Sequence, residues 1–167
     1  YIGNYPTLKL SKIKKICDKK NIPIIEDTAW GCGGFYGKKR LGTIGRMGTF
    51  SFDYAKSMTT GEGGRILFKK KSDWMKASAW HDHGHENNPK KPRWEDTRDR
   101  SGFNFRMTEL QAAVGLVQLS KLKKVISKHR KNMKIIKNKI RKLNLKFRDV
   151  PKKNFETADA LIFMVKN

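Results

Sequence analysis

The five residues Ile22 to Glu26 (IPIIE) constrain this chain most. They run apolar up to the final acid without the alternation of a half-buried strand, the pattern of a strand covered on both faces. An amphipathic stretch precedes them. Thr7 can cap a helix whose Leu10, Ile13, Ile16 and Cys17 recur at spacings near three and four, and Asn21 ends it. A helix followed by a covered strand predicts α/β layering with a parallel sheet.

Further elements follow downstream. FYGKKRLG within the glycine-rich residues 31–47 predicts a hairpin turning around Gly37 to Lys39. Gly48 to Asp53 (GTFSFD) and Gly64 to Phe68 (GRILF) read as strands. Ser72 can cap a helix reaching about Trp80, and residues 81–103 form an irregular loop of a length that usually serves function. Thr108 and Glu109 open a long helical region. Leu110, Ala113, Val114 and Val117 make one apolar stripe there, and Leu122, Val125 and Ile126 continue it. Ser120 marks a break between two helices, the second running to about Leu143. Pro151 precedes a polar linker, and Ala158 to Val165 begins another strand.

Composition narrows the function classes. At 167 residues the chain can build one core, and two cysteines make no disulfide framework. No run of about 18 apolar residues exists, so no membrane span is expected. The opening Tyr1 and the strand-like ALIFMVKN at the end suggest the middle of a longer protein. The 38 Lys and Arg against 15 Asp and Glu give a charge of +23, which raises nucleic-acid binding as a candidate. Aromatics are not interleaved with the basic runs as stacking platforms would require, which argues against nucleic acid as the partner.

FSFDYAKSMTTGEGG (residues 50–64) places Lys56 between a strand and a glycine-rich loop. Open α/β sheets bind ligands at the C-terminal ends of their strands. A lysine there, in a dry or cationic site, can act as a nucleophile. A solvated lysine in a tight turn fits the spacing as well. Asp27 ends IPIIE at the same edge. It can cap a turn, or pair with a protonated ring nitrogen. A lysine to hold an aldehyde and a carboxylate to keep a pyridine nitrogen positive are what pyridoxal phosphate needs.

The block IIEDTAWGCGGFYGKKRLGTIGRMGTFSFDYAKSMTTGEGG, then HDHG, then SGFNFRMTELQAAVGLVQL resembles the DegT/DnrJ/EryC1/StrS aminotransferase family over about residues 1–145. The resemblance implies an α/β chain of the pyridoxal-phosphate transferase fold type I. A mostly parallel sheet of the large domain would be flanked by helices, followed by the start of a smaller C-terminal α+β domain. Residues 1–120 would be part of the large domain, without its N-terminal portion. Residues 121–167 would be the linking helix and the start of the small domain. Lys56 would carry the cofactor as a Schiff base and shuttle the proton between substrate and cofactor. Asp27 would pair with the pyridinium. Ser51 would bond the phosphate, joined by Asn104 from a second subunit, so the site needs a homodimer. His83 and Arg106 are candidates for substrate contact.

The implied reaction moves an amino group, with glutamate as donor, to a nucleotide-linked keto sugar for polysaccharide synthesis in the cytoplasm. Trp30 departs from the family's Gln or His at a cofactor-contacting position, and its indole can donate but not accept. Arg46 replaces a usual Asp and reads as structural. The phosphate-binding loop and the ring-stacking aromatic would lie upstream of Tyr1. Dehydratases of the family carry His where this chain has Lys56, so the lysine favours amino transfer. A basic nucleic-acid module and a non-transaminating relative stay open as alternatives. His81, His83 and His85 alternate in HDHGHE, unlike a helical metal motif, and no metal is expected. Cys32, without a ligand neighbour, reads as a small packed residue.

Overall fold

A computed structural model of the chain describes residues 9–98, 100–150 and 154–165. Its helices are α1 (Leu10–Lys19), α2 (Lys71–His81) and α3 (Glu109–Lys139), with a 3-10 turn at Arg93–Glu95. Its strands are β1 (Ile25–Asp27), β2 (Phe35–Tyr36), β3 (Lys39–Arg40), β4 (Met47–Ser51), β5 (Gly64–Phe68), β6 (Leu145–Phe147) and β7 (Phe163–Val165). The central sheet has the order β1-β4-β5. The parallel pairing expected from the sequence is that of β1 with β4. β5 joins β4 antiparallel, with Ser51 opposite Gly64. The ends of β1 and β4 and the start of β5 therefore share one edge.

Two small sheets flank this one. β2 and β3 form the hairpin expected around Gly37, whose φ of 59° lies in the left-handed region. β6 pairs with β7, a strand shorter than the span 158–165 read from the sequence.

The burial pattern corrects the apolar periodicity in three places. In α1 only Leu10 is buried, while Ile13 and Ile16 are exposed. Among the described residues α1 meets β2 only through the Tyr36 hydroxyl, which bonds Ser11, and Thr7 lies outside them. In β1 the buried side chain is Glu26, and Ile25 is 61% exposed. A carboxylate has taken the inner face that the isoleucines were expected to share. In α3, Leu110, Val114 and Val117 are exposed, and the buried line is Gly115, Leu122, Ile126 and Met133.

Helix boundaries follow their caps. Thr108 accepts from the Gln111 N–H, and the Gln111 side chain accepts from the Thr108 N–H, closing a capping box. Ser120 does not break α3. Its hydroxyl donates to the Val117 carbonyl, one turn back, and the helix runs on to Lys139, 31 residues in all. Ser72 does not cap α2 either; Lys70 is the cap position, without a side-chain bond. α2 is instead tied down by Arg46. Its Nε and Nη2 reach both oxygens of Asp73 at 2.6 Å, linking the approach to β4 with the first turn of α2.

The buried core is Phe52, Met58, Leu122 and Ile126, with Cys32 and Phe50 packed against it. Burial pushes the Cys32 thiol above its ordinary range, as suits an inert packing residue. Phe52 and Met58 bracket Lys56, so the core grips the lysine loop at two points.

Candidate functional site

The loop after β4 is built by its own backbone bonds. The Phe52 N–H donates to the Gly63 carbonyl at 2.8 Å, and the Thr60 N–H to the Phe52 carbonyl at 2.9 Å. The Asp53 carboxylate accepts from the Ala55 N–H at 2.7 Å, and the Asp53 carbonyl from the Lys56 N–H at 3.0 Å. These bonds fold residues 53–56 into a tight turn. Gln111 closes the far side by donating to the Glu62 carbonyl at 3.0 Å.

Lys56 is half-buried, and its Nζ lies 3.6 Å from the centroid of the Trp30 ring. An ammonium on an indole face is held at about 0.5–2 kcal/mol, depending on how dry the contact is. The lysine is thus positioned, not a freely solvated surface charge. Trp30 arrives by successive turns after β1. The Gly31 N–H donates to the Thr28 carbonyl, and the Gly34 N–H to the Gly31 carbonyl. Behind it, the buried Thr157 donates to the Trp30 carbonyl at 3.3 Å. Sequence reading missed Thr157, because its partner lies 127 residues away and no local pattern marks it.

Asp27 closes β1 opposite Thr49, two residues inward from Ser51 along β4. Its Oδ1 accepts from the Ala29 N–H at 3.1 Å, the turn cap weighed as the plain alternative. Its Oδ2 carries no hydrogen bond among the described residues and remains available to a cationic donor. The Ser51 hydroxyl accepts from the Asp53 N–H at 3.4 Å and keeps its own proton to donate. Asp27, Trp30, Ser51 and Lys56 therefore sit around the C-terminal edge of β1 and β4. They supply a carboxylate, an aromatic face, a hydroxyl and an amine.

The other three sequence candidates belong to a second cluster around Asp82. Arg93 binds both oxygens of the buried Asp82, at 2.6 and 2.7 Å. Arg106 Nε lies 3.4 Å from Asp82 Oδ1 and donates to Asn104 Oδ1 at 3.2 Å. Asn104 thus has its oxygen engaged, leaving its amide N–H groups as donors. His83, at φ 53°, donates its backbone N–H to the Phe103 carbonyl. The three histidines diverge. His81 Nδ1 meets the Ser78 carbonyl, and the buried His85 lies between Asp96 (3.1 Å) and Arg98 (3.0 Å). Among the described residues no group of three or more metal-ligand side chains gathers.

The Arg93 guanidinium holds the Asp82 carboxyl down at about 2. A carboxylate depressed in the folded state adds stability above its unfolded value of about 4, and loses it as pH falls towards 2. Arg93 is 42% exposed, so solvent screening cuts the contribution to about 1 kcal/mol. Asp82→Asn is expected to destabilise the protein by about that amount at pH 7. The gap between variant and wild type should close between about pH 4 and pH 2. Denaturant midpoints across that range check it, and a gap independent of pH would refute it.

A model of the DegT/DnrJ/EryC1/StrS aminotransferase family matches residues 1–166. The chain is 34% identical over 134 residues to GDP-perosamine synthase of Escherichia coli O157:H7, covering 80% of this chain and 35% of that protein. It is 31% identical over 116 residues to a UDP-4-amino-4,6-dideoxy-N-acetyl-beta-L-altrosamine transaminase of Campylobacter jejuni, covering 70% and 30%. Among solved structures, the E. coli GDP-4-keto-6-deoxy-D-mannose-3-dehydratase with bound hydrated PLP superposes with a TM-score of 0.86 at 28% identity. That match covers 99% of this chain and 45% of that one. The chain spans about a third of the length of the curated relatives it matches.

Proposed function

Because this chain belongs to the DegT/DnrJ/EryC1/StrS aminotransferase family, we propose that it forms the lysine-bearing part of a pyridoxal-phosphate aminotransferase. Its substrate class is a nucleotide-linked keto sugar, with glutamate as amino donor. The similarity to GDP-perosamine synthase and to a UDP-amino-sugar transaminase supports that class. The observation that carries the reading is the seating of the Lys56 amine on Trp30, beside Asp27 and Ser51 at one sheet edge.

The residues present fit the cofactor. Asp27 offers an open carboxylate oxygen to a protonated ring nitrogen, Ser51 a hydroxyl to phosphate, and Lys56 an amine to an aldehyde. When bound, pyridoxal phosphate supplies an electron-poor ring that stores the electron pair left by removal of a substrate proton. Asp27 keeps that ring positive. Lys56 would hold the aldehyde through Nζ and, once freed, would take up and give back the substrate's proton on the same nitrogen. Trp30 limits the room open to Nζ and keeps water from its aromatic side. Asn104 is assigned to the phosphate of a second subunit, and His83 and Arg106 to substrate. The protein is then a cytoplasmic homodimer. No helix among the described residues is long and apolar enough to cross a membrane. We assign residues 1–120 to the large domain and 121–167 to the linking helix and small domain.

The family also contains dehydratases, and one of the matched structures is such an enzyme. Lys56 favours amino transfer, since an imidazole cannot hold an aldehyde as an imine. The test uses the longest natural chain that carries this sequence. Pyridoxal phosphate should give a visible absorption band, glutamate should bleach it, and a nucleotide-linked keto sugar should restore it. A cofactor band indifferent to both substrates would sink the proposal.

A further inference from the structure

Residues 110–148 contain thirteen Lys and Arg and no Asp or Glu. A helix that needs only solubility carries both signs, because acid–base pairs at spacings of three and four support it and like charges there repel. α3 has no such relief on its outer face. Lys121, Lys124, Lys128, Lys131 and Lys139 recur at steps of three, four or eight residues, opposite the buried Leu122, Ile126 and Met133. They form one straight stripe about 27 Å long, at 1.5 Å per residue. All five are exposed, and none has an ion-pair partner among the described residues. The cations nearer the core are occupied: Arg130 donates to the Glu156 carbonyl and stacks on Phe155, and Lys137 lies over Phe147. Lys123 and Lys134 are also exposed without an ion-pair partner among the described residues, so the outer stripe is the longest aligned part of an uncompensated charge.

Its complement is an extended array of negative charge. Two features favour lipid headgroups over nucleic acid. No Phe, Tyr or Trp occurs between Met107 and Phe147, and His129 is on the inner side of the helix, so bases would find no stacking platform on the stripe. Ile135, 45% exposed, interrupts the lysine stripe on the same face, an aliphatic group that the headgroup–acyl boundary can take up and a phosphodiester backbone cannot. We propose that the outer face of α3 docks the protein on an anionic phospholipid surface. Such attachment needs no membrane span, so the expected lack of one does not oppose it. It is independent of the aminotransferase reading, because the stripe lies on the face of α3 turned away from the core beneath the Lys56 loop.

The test is vesicle sedimentation with the longest natural chain that carries this sequence, without added cofactor. Vesicles of phosphatidylcholine containing phosphatidylglycerol should carry the protein down at low salt, and pure phosphatidylcholine should not. Raising salt should release it. The fourfold variant Lys121→Gln, Lys124→Gln, Lys128→Gln and Lys131→Gln should lower partitioning roughly a hundredfold or more. Its melting temperature and its response to pyridoxal phosphate should stay those of the wild type. A second variant, Ile135→Gln, should weaken binding by a smaller factor that salt does not remove. Equal sedimentation of wild type and the fourfold variant would overturn the proposal. So would indifference to phosphatidylglycerol, or tighter binding to duplex DNA than to the anionic vesicles at the same salt.

Discussion

Lys56→Ala should lower amino transfer about a thousandfold or more, while leaving the fold and the noncovalent affinity for pyridoxal phosphate largely in place. The size follows from the two tasks given to one nitrogen. The amine must bond the aldehyde, and later it must carry the proton between two carbons. General acid–base work alone accounts for about 10² to 10⁴ in rate. The fold should survive because the flanking anchors are Phe52 and Met58, not Lys56. Alanine also keeps the backbone N–H that bonds the Asp53 carbonyl. The visible band of covalently held cofactor should vanish, and a small primary amine added to the solution should restore part of the turnover. Lys56→Arg keeps a cation over Trp30 but cannot form the bond, so it should be as inactive as alanine. Wild-type turnover in either variant would take Lys56 out of the chemistry.

What was legible in the sequence was what short spacing encodes. The hairpin at Gly37, the strand Gly64–Phe68 and the Thr108 cap each rest on a few adjacent residues whose local chemistry has one outcome. That Lys56 and Asp27 lie at one sheet edge was legible because strand ends in an α/β sheet converge there. What failed was inference about faces. Leu110, Val114 and Val117 look like the core side of α3, but the core meets Leu122 and Ile126 instead. Periodicity says that a helix has an apolar stripe and not which stripe finds a partner. Ser120 failed for a related reason: a serine that bonds one turn back stays inside a helix, and sequence does not say which bond it makes. Thr157 and Glu26 were invisible because their partners are backbone groups set by tertiary contact.

Glu26→Ala is expected to destabilise the protein by about 4 kcal/mol, far more than a typical surface change. Its buried carboxylate accepts three backbone N–H groups: Gly42 at 2.9 Å through Oε2, and Ile44 and Gly45 at 2.5 and 2.6 Å through Oε1. Hydrogen bonds to a charged acceptor are worth about 1.5–3 kcal/mol each, and donors left unpaired in the interior cost about 1–3. Alanine removes the acceptor for all three at once. The loop has little room to find another. A Cβ on Gly42, at φ +83°, would strike the Phe50 ring at 2.4 Å, and one on Gly48 would meet the Gly42 carbonyl oxygen at 2.1 Å. The segment 41–45 is therefore pressed onto the sheet, with Leu41 and Ile44 buried beside it. Glu26→Gln keeps one acceptor oxygen and turns an amide donor toward a donor, so about half the loss should remain. The site should feel the change as well. Adjacent strand residues face opposite ways, so the bond that locks Glu26 inward also fixes Asp27 outward at the edge. Both Glu26 variants should have a lower noncovalent affinity for pyridoxal phosphate than wild type at temperatures where they are folded, while Lys56→Ala should keep that affinity largely in place. Chemical denaturation followed by cofactor titration separates the two effects. A Glu26→Ala midpoint equal to that of the wild type would mean that the loop is held by its apolar contacts alone.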